Sequence, residues 1–383
     1  SRNLDSNAFL ILKSTLCSSS RSESVPIIPW FVGPDSYEIR SLRDWWVCEK
    51  LLTRKRVVFR VIGNDTVGMG HIFRALSLAH ELTDHEILFV TDVDNQVAVN
   101  ELAGYDYWLG VFDRSNIIKE IQALNPDLVV NDILDTSKKD VLSLRDNKIA
   151  TVNFEDLGPG AQYANVVINE LYDIPQIDGQ NIYWGKRYFF VREEFSNAKR
   201  RRFRKKIGNL LLVFGGVDKH DLSFRLYEAI RSICADSGIC LSIVVGPGYD
   251  GYANLLVATR GDPKVTVTHA TGVMSSFMEK ADLAITSNGR TVYELAHLNV
   301  PGIVISQHKR EDTHRFACEG NGFIPVGVYS VGETEQKVTH FLKRLIQDRD
   351  YRKRLHHGTK KYRFDSNKAR VVNLIKKHLE KID

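Results

Sequence analysis

The chain has 383 residues, of which 43% are hydrophobic and 26% are charged, and its formal net charge is +5. These values are typical of a soluble globular protein with two or three domains. The positive charge is modest and clustered, which gives no reason to expect nucleic-acid binding, and no apolar run reaches the roughly 18 residues that a membrane span requires.

The cysteine pattern argues against a disulfide framework and against a structural zinc site. The cysteines are odd in number, widely scattered and without a CxxC pair; they are Cys17, Cys48, Cys234, Cys240 and Cys318. We therefore expect reduced thiols and a cytoplasmic location. The chain begins at Ser1 without a Met and shows no signal peptide, so we expect a piece of a longer protein.

Residues 1–54 differ from the rest of the chain. NAFLILKSTL predicts a strand and a short helix, VPIIPWFVG an extended segment, and SYEIRSLRDWWVCEKLL an amphipathic helix capped by Ser41. Its ending, EIRSLRDWWVCEKLL, resembles the C-terminal tail of acylneuraminate cytidylyltransferases. That resemblance implies that the CTP-binding and metal-binding parts belong to a domain upstream of this chain, so we expect no cytidylyl transfer from the chain itself.

The stretch from Val57 to Leu82 predicts a strand, a glycine loop and a helix. The apolar run at 57–62 is followed by glycines and then by apolar residues at helical spacing. Gly68 and Gly70 would let the backbone approach a ligand, and the helix would direct its free N–H groups towards an anion. His71 would lie at the N-terminus of this helix, where the helix dipole disfavours the charged form of its ring. We therefore expect a neutral ring that can accept a proton.

The remainder of the first half alternates between strands and helices, which predicts βαβ units and a parallel sheet. The strand LVVND ends at Asp132, KIATVNFED ends at Glu155 and Asp156, and NVVINE ends near Asn169. Ligands bind at the carboxyl ends of strands in such sheets. The basic run KRRRFRKK at 199–206 then interrupts the alternation, and we interpret it as a solvated linker in preference to a phosphate-binding or lipid-binding patch.

A second alternating series begins at Asn209. Its first strand runs into Gly215 and Gly216, EDTHRFACEGNGF predicts a helix, and two helical stretches close the chain. The predicted fold class is therefore α/β, with two Rossmann-like domains whose parallel sheets face a central cleft. The predicted boundaries are residues 1–54 for the tail, 55–198 for the first domain, 199–208 for the linker and 209–383 for the second domain.

The strand and helix around Ser287 predict a second anion site. Asn288 and Gly289 form the turn, a helix begins near Arg290 or Thr291, and Arg290 would supply a positive charge for a diphosphate.

Glu294 lies in the first turn of this helix, where it would accept both hydroxyls of a ribose. The alternative for Glu294 is a capping box with Thr291. The run from His308 through Glu311 and Asp312 to His314 lacks supporting metal ligands elsewhere. We interpret it as polar groups for sugar or phosphate, or as helix caps, and expect no metal.

Four signatures, taken together, resemble the UDP-sugar hydrolases of pseudaminic acid biosynthesis and their spore-coat polysaccharide relatives. They are VGMGHIFRALSLA, VREEF, VFGGVDKHDLS and SNGRTVYELAHLNVP, and the resemblance covers about residues 56–330. It implies a GT-B-like fold and metal-independent hydrolysis, without a cofactor, of a UDP-linked 2,4-diacetamido-2,4,6-trideoxyhexose. Carried onto this chain, it makes His71 the general base for water and places Glu294 on the ribose.

Two other functions remain open. A GT-B glycosyltransferase that uses a UDP- or CMP-sugar would employ His71 to deprotonate an acceptor hydroxyl, and a non-catalytic domain would only bind the nucleotide sugar. The residues expected to bind substrate or nucleotide are Gly68, Gly70, Arg74, Asp132, Glu155, Gly215, Gly216, Ser287, Asn288, Gly289, Arg290, Thr291, Tyr293, Glu294 and His308.

Overall fold

The computed structural model describes residues 39–64 and 67–380, and the chain divides into two compact units, Ser1–Arg54 and Lys55–Asp383. Within the described part of the first unit, residues 39–54, helix α1 spans Leu42–Leu52. The Ser41 side chain accepts from the Asp44 N–H at 3.2 Å, and the Asp44 carboxylate accepts from the Ser41 N–H at 2.8 Å, which confirms the predicted cap. The predictions for NAFLILKSTL and VPIIPWFVG lie outside the described residues.

The first sheet of the second unit has seven parallel strands, in the order β3-β2-β1-β4-β5-β6-β7. They are β1 (Arg56–Val61), β2 (Glu86–Asp92), β3 (Trp108–Phe112), β4 (Leu128–Asp132), β5 (Ala150–Phe154), β6 (Val166–Asn169) and β7 (Ile182–Trp184). The helices between them are α2 (Gly70–Ala79), α3 (Gln96–Leu102), α4 (Ile117–Ala123) and α5 (Lys138–Asp146). We call this sheet and its helices the first domain.

The second sheet has six parallel strands, in the order β10-β9-β8-β11-β12-β13. They are β8 (Asn209–Val213), β9 (Cys240–Val245), β10 (Val265–His269), β11 (Leu283–Ser287), β12 (Gly302–Ser306) and β13 (Phe323–Val328). The helices that follow are α6 (Leu222–Ser237), α7 (Tyr252–Thr259), α8 (Ser275–Met278), α9 (Arg290–His297), α10 (Glu333–Gln347), α11 (Arg349–Thr359) and α12 (Asn367–Leu379). This sheet and the helices up to α11 form the second domain.

Each sheet has a point at which the strand order reverses, between β1 and β4 in the first and between β8 and β11 in the second. Connections leave such a pair of strands towards opposite faces, so a crevice opens beyond their carboxyl ends. The loop before α2 and the end of β4 lie at the first reversal. The Gly215-Gly216 turn and the start of α9 lie at the second, so the fold places both predicted anion sites at crevices.

The chain crosses between the two domains more often than the predicted boundaries allow. Helix α12 was assigned to the second domain, yet Val371 and Ile375 are fully buried in the core of the first domain, together with Val57 and Phe59. The segment at 171–195 contributes to both domains. It contains β7 of the first sheet, and Phe190 lies in the core of the first domain, whereas Phe189 belongs to a core cluster of the second domain. The apolar faces of these segments decide their placement, and sequence order does not.

The linker prediction was wrong for two arginines of the basic run. The Arg201 guanidinium binds the Asp282 carboxylate at 2.6 Å. Arg200 donates to the carbonyls of His297 at 2.8 Å and Tyr362 at 2.7 Å. This part of 199–206 is therefore attached to the second domain instead of being solvated.

The prediction of a helix for EDTHRFACEGNGF, residues 311–323, was also wrong. The structure has only two 3₁₀ turns there, Glu311–Thr313 and Glu319–Asn321. The Asn288 amide donates to the carbonyls of Glu311 at 2.8 Å and His314 at 3.1 Å, so these oxygens bind a side chain in place of helical N–H groups. None of the helices in the described ranges combines the length and apolar character needed to cross a bilayer.

We expect Ile375→Ala to lower the free energy of unfolding by about 2–5 kcal/mol, because it opens a cavity between α12 and the first domain. Urea titration followed by circular dichroism would measure the loss. Asn373→Ala, on the exposed side of the same helix, is the control and should change stability by less than about 0.5 kcal/mol. Equal effects of the two substitutions would contradict the packing of α12 on the first domain.

Candidate functional site

His71 and Asp132 form a buried pair at the reversal point of the first sheet. His71 is the second residue of α2, Asp132 is the last residue of β4, and their Nδ1 and Oδ1 atoms are 2.5 Å apart. The carboxylate only accepts hydrogen bonds, so Nδ1 carries the hydrogen. In the neutral ring the free lone pair is then on Nε2. Burial raises the pKa of Asp132, but the charge of Arg74 and the hydrogen bonds from Arg74 and His71 outweigh it and hold that pKa below its ordinary value.

Arg74 lies almost one turn after His71 and is the centre of a buried charge cluster. Its Nε donates to Asp132 Oδ2 at 2.7 Å, and its Nη1 donates to Glu155 Oε1 at 2.5 Å and Glu170 Oε1 at 2.8 Å. Burial raises the pKa of Glu155, but attraction by Arg74 dominates and holds that pKa far below its usual range. Arg74 is 1% exposed, so it organises the site, and its predicted direct contact with substrate does not fit this geometry.

Arg290 extends the cluster from the second domain. Its Nη1 contacts Glu170 Oε1, its Nη2 donates to the Phe190 carbonyl at 2.9 Å, and its guanidinium lies 4.6 Å from the centre of the Phe189 ring. Burial lowers the pKa of Arg290 to about 10, and repulsion by Arg74 acts in the same direction. The guanidinium predicted to meet a diphosphate therefore binds the Glu170 carboxylate in the structure.

The two glycine loops approach each other across the cleft. A Cβ atom on Gly216 would lie 3.2 Å from Met69 Cγ, so a larger residue would push the loops apart. Gly68 and Gly215 have φ values of +73° and +82°, which side-chain-bearing residues rarely adopt. The structure thus brings together the loop before α2 and the turn after β8, as expected for residues lining one cleft.

Glu294 does not form the capping box with Thr291. Helix α9 begins after Gly289, without a side-chain cap, and Glu294 Oε1 accepts from Arg192 Nε at 3.1 Å instead. Glu294 is 5% exposed. A ribose would therefore have to share this carboxylate with Arg192.

The side chains of three other predicted binding residues are buried and contact other parts of the protein. The Tyr293 ring is stacked between Phe189 and Phe316, and the Asn288 amide holds the loop after β12. Ser287, at the end of β11, is buried. The structure therefore contradicts a direct ligand contact for the Tyr293 side chain. His308 is half-exposed, with Nε2 4.0 Å from Glu311 Oε1.

Arg310, which the sequence analysis missed, joins the two domains beside Glu155. Its Nε donates to the Tyr172 hydroxyl at 2.9 Å, its Nη1 to Asp135 Oδ2 at 2.7 Å, and its Nη2 to the Glu155 carbonyl at 2.6 Å. Glu155 has a φ of +52°, an unfavourable backbone conformation that this bond helps to hold. The only sequence signal was the position of Arg310 inside the charged run at 308–314.

No group of three potential metal ligands converges within residues 39–64 and 67–380. His314 lies against Tyr172, with ring centres 4.9 Å apart, and its Nδ1 bonds to the Asn288 carbonyl at 2.8 Å. Burial lowers the pKa of His314. His314 therefore packs the domain interface, away from the half-exposed His308.

Comparison with known proteins finds two curated relatives. The chain is 30% identical over 267 residues to an uncharacterized protein of Methanocaldococcus jannaschii, and the matched region is 64% of this chain. It is 26% identical over 314 residues to the spore coat polysaccharide biosynthesis protein SpsG of Bacillus subtilis, which covers 77% of this chain and 90% of that protein. The chain spans about half of the archaeal relative, 54% of its length. No protein-family model matches.

Solved structures decide the fold class. MurG of Acinetobacter baumannii superimposes with a TM-score of 0.60 at 16% identity, covering 84% of this chain and 99% of MurG. The chain has a GT-B fold. The calicheamicin glycosyltransferase CalG4 gives a TM-score of 0.59 at 15% identity over 86% of this chain and 99% of CalG4. HepE of Anabaena, solved with UDP and glucose, gives a TM-score of 0.53 at 12% sequence identity. The match covers 85% of this chain and 100% of HepE. The predicted pair of Rossmann-like domains is confirmed.

The largely buried Glu311 carboxyl, whose side chain is 15% exposed, gives this loop a pH-dependent stability. Burial raises the pKa of Glu311 from 4.5 to about 7, although its Oε2 accepts from the Gln307 N–H at 2.7 Å. The folded state therefore binds this proton more tightly than the unfolded state, and the resulting stability is lost as the pH rises from about 4.5 to about 7.

We expect Glu311→Gln to match the wild type in melting temperature near pH 4.5 and to exceed it at pH 8, because the amide carries no charge to bury. Calorimetry of both proteins across this range would measure the difference. Glu120→Gln, on an exposed position of α4, is the matched control. A difference between Glu311→Gln and the wild type that does not change with pH would contradict the burial of an ionised carboxylate here.

Proposed function

We propose that the protein hydrolyses a UDP-linked amino sugar, of the 2,4-diacetamido-2,4,6-trideoxyhexose type, to the free sugar and UDP. The observation that carries this proposal is the His71–Asp132 pair at the N-terminus of α2, in which His71 Nε2 is the nitrogen that can accept a proton. A general base in this position typically accelerates a reaction by roughly 10²- to 10⁴-fold. The four sequence signatures that resemble UDP-sugar hydrolases support the choice of substrate.

In the proposed reaction, His71 Nε2 takes a proton from water while the water oxygen attacks the anomeric carbon. The bond from that carbon to the phosphate oxygen breaks, and its electron pair leaves with UDP. Asp132 keeps the ring oriented and stabilises the imidazolium that forms, which is the role of the carboxylate in related triads. UDP is a good leaving group, so base catalysis and support for its charge are sufficient.

The charge on the departing diphosphate would be met by the second domain. Helix α9 begins at Arg290, directly after Gly289, so its first N–H groups lie just beyond the carboxyl end of β11 and are available to an anion. Arg290 would add a full positive charge, and the Gly215-Gly216 turn would let the backbone approach the phosphates. The solved HepE complex with UDP and glucose supports a UDP ligand for this architecture.

Glycosyl transfer is the second candidate, supported by the SpsG relative and by the resemblance in fold to MurG and CalG4. In that reaction His71 would deprotonate a sugar hydroxyl in place of water. The burial of His71, which is 6% exposed beside the contacting glycine loops, favours a small nucleophile and hence hydrolysis. A purely binding role would leave the oriented His71–Asp132 pair without a purpose.

We expect His71→Ala to lower the rate of UDP release by at least about a hundredfold, because it removes the base. Its affinity for UDP should stay within about threefold of the wild type, because the diphosphate is held by the second domain. UDP release would be measured with a panel of UDP- and CMP-linked amino sugars, with and without an acceptor, and UDP affinity by calorimetry. Asp132→Asn should also be slow, since an amide no longer fixes the tautomer.

His80→Ala is the matched control, because His80 directly follows α2 and its side chain is 40% exposed. It should keep wild-type turnover. Release of UDP only when an acceptor is present would favour the transferase. Near wild-type turnover of His71→Ala would show that the base is elsewhere.

A further inference from the structure

Glu170 is a buried carboxylate that contacts an arginine from each domain. It directly follows β6 and is 0% exposed. Its Oε1 accepts from Arg74 Nη1 at 2.8 Å and also contacts Arg290 Nη1. Its Oε2 is buried and has no hydrogen-bond partner within the ranges that the structure describes. One oxygen thus carries both guanidinium contacts.

Through Arg74, the same carboxylate is linked to the proposed base. Arg74 Nη2 and Nε bind the two oxygens of Asp132, at 2.5 Å and 2.7 Å, and Asp132 Oδ1 binds His71 Nδ1 at 2.5 Å. An unbroken series of polar contacts therefore runs from Arg290, at the start of α9, to His71, at the start of α2. Its two ends are the two predicted ligand sites.

Asp132 and Glu170 compete for the charge of Arg74, and a ligand phosphate would compete with Glu170 for Arg290. A diphosphate carries more negative charge than one carboxylate. If it were bound at the start of α9, it would attract the Arg290 guanidinium away from Glu170. Glu170 would then interact with Arg74 alone. A stronger interaction between Glu170 and Arg74 weakens the ion pair between Arg74 and Asp132. The Asp132 carboxylate then accepts a stronger hydrogen bond from His71 Nδ1.

We infer that Glu170 is a positioning residue that links occupation of the diphosphate site to the strength of His71 as a base. The inference rests on the proposed function and deepens it. While Glu170 is bound to Arg290, as it is in the structure, it competes with the phosphate site for this arginine and Arg74 remains mainly on Asp132, so His71 is a weaker base. Binding of the nucleotide sugar releases Arg290 from Glu170 and strengthens His71 in the same step.

Glu170→Gln separates the two parts of this inference. The amide keeps the shape of the side chain but loses the charge that competes for Arg290, so UDP should bind about tenfold more tightly, the effect of losing one competing charge-assisted bond. Turnover at saturating substrate should fall by roughly tenfold, because Arg74 stays on Asp132 and His71 remains a weaker base. UDP affinity would be measured by calorimetry and turnover by release of UDP.

Two further variants distinguish this effect from general damage to a buried ion pair. Asp282→Asn removes the charge of a carboxylate bound to Arg201 at 2.6 Å, outside the series of contacts; it should leave both UDP affinity and turnover unchanged. In an Arg290→Ala background, Glu170→Gln should no longer tighten UDP binding, because the competition is gone.

The outcomes separate this inference from the proposed function. If the wild type does not bind UDP, both are overturned. If the wild type binds UDP and releases it from its sugar, but Glu170→Gln binds UDP no more tightly, only the role of Glu170 is overturned. Tightening that persists without Arg290 would also overturn it, because the effect would then arise from charge alone.

Discussion

The buried guanidinium of Arg74 is the interaction on which the rest of the site depends. It binds Asp132, Glu155 and Glu170, three carboxylates brought from the ends of β4, β5 and β6. Each of these charges would be costly to bury alone, and loss of one partner from a buried ion pair typically costs about 3–5 kcal/mol. The carboxylates can occupy the end of the sheet only because Arg74 is there, and His71 takes its orientation from one of them.

The second domain contributes its charges to the same place. Arg290 reaches Glu170, and Arg310 reaches the Glu155 carbonyl, so two arginines from one domain bind the cluster organised by the other. Both sheets reverse strand order beside these residues, which accounts for the position of the cleft. The proposed chemistry follows from this arrangement: a base fixed on one side, and a helix start with a cation on the other.

Much of this fold is predictable from local pattern, whereas most of the contacts are not. Buried parallel strands are continuous apolar runs, so β1, β4 and β11 are visible in the sequence, and the glycine loop before His71 marks the site. Glu170 was invisible, because a carboxylate after a strand gives no sign of its partners 96 and 120 residues away. The predicted helix at 311–323 failed for the same reason, since the competing donor, Asn288, comes from another strand end. Long-range pairing, which no local window contains, decided each of these cases.

The tautomer of His71 tests the central claim most directly, because every role assigned to the cluster depends on Asp132 holding the Nδ1 hydrogen. Nitrogen NMR of ¹⁵N-histidine-labelled protein at about pH 8, with the His71 signals assigned by comparison with His71→Ala, would show which ring nitrogen is protonated. The account predicts hydrogen on Nδ1 and a free lone pair on Nε2. Hydrogen on Nε2, with Nδ1 unprotonated, would contradict it.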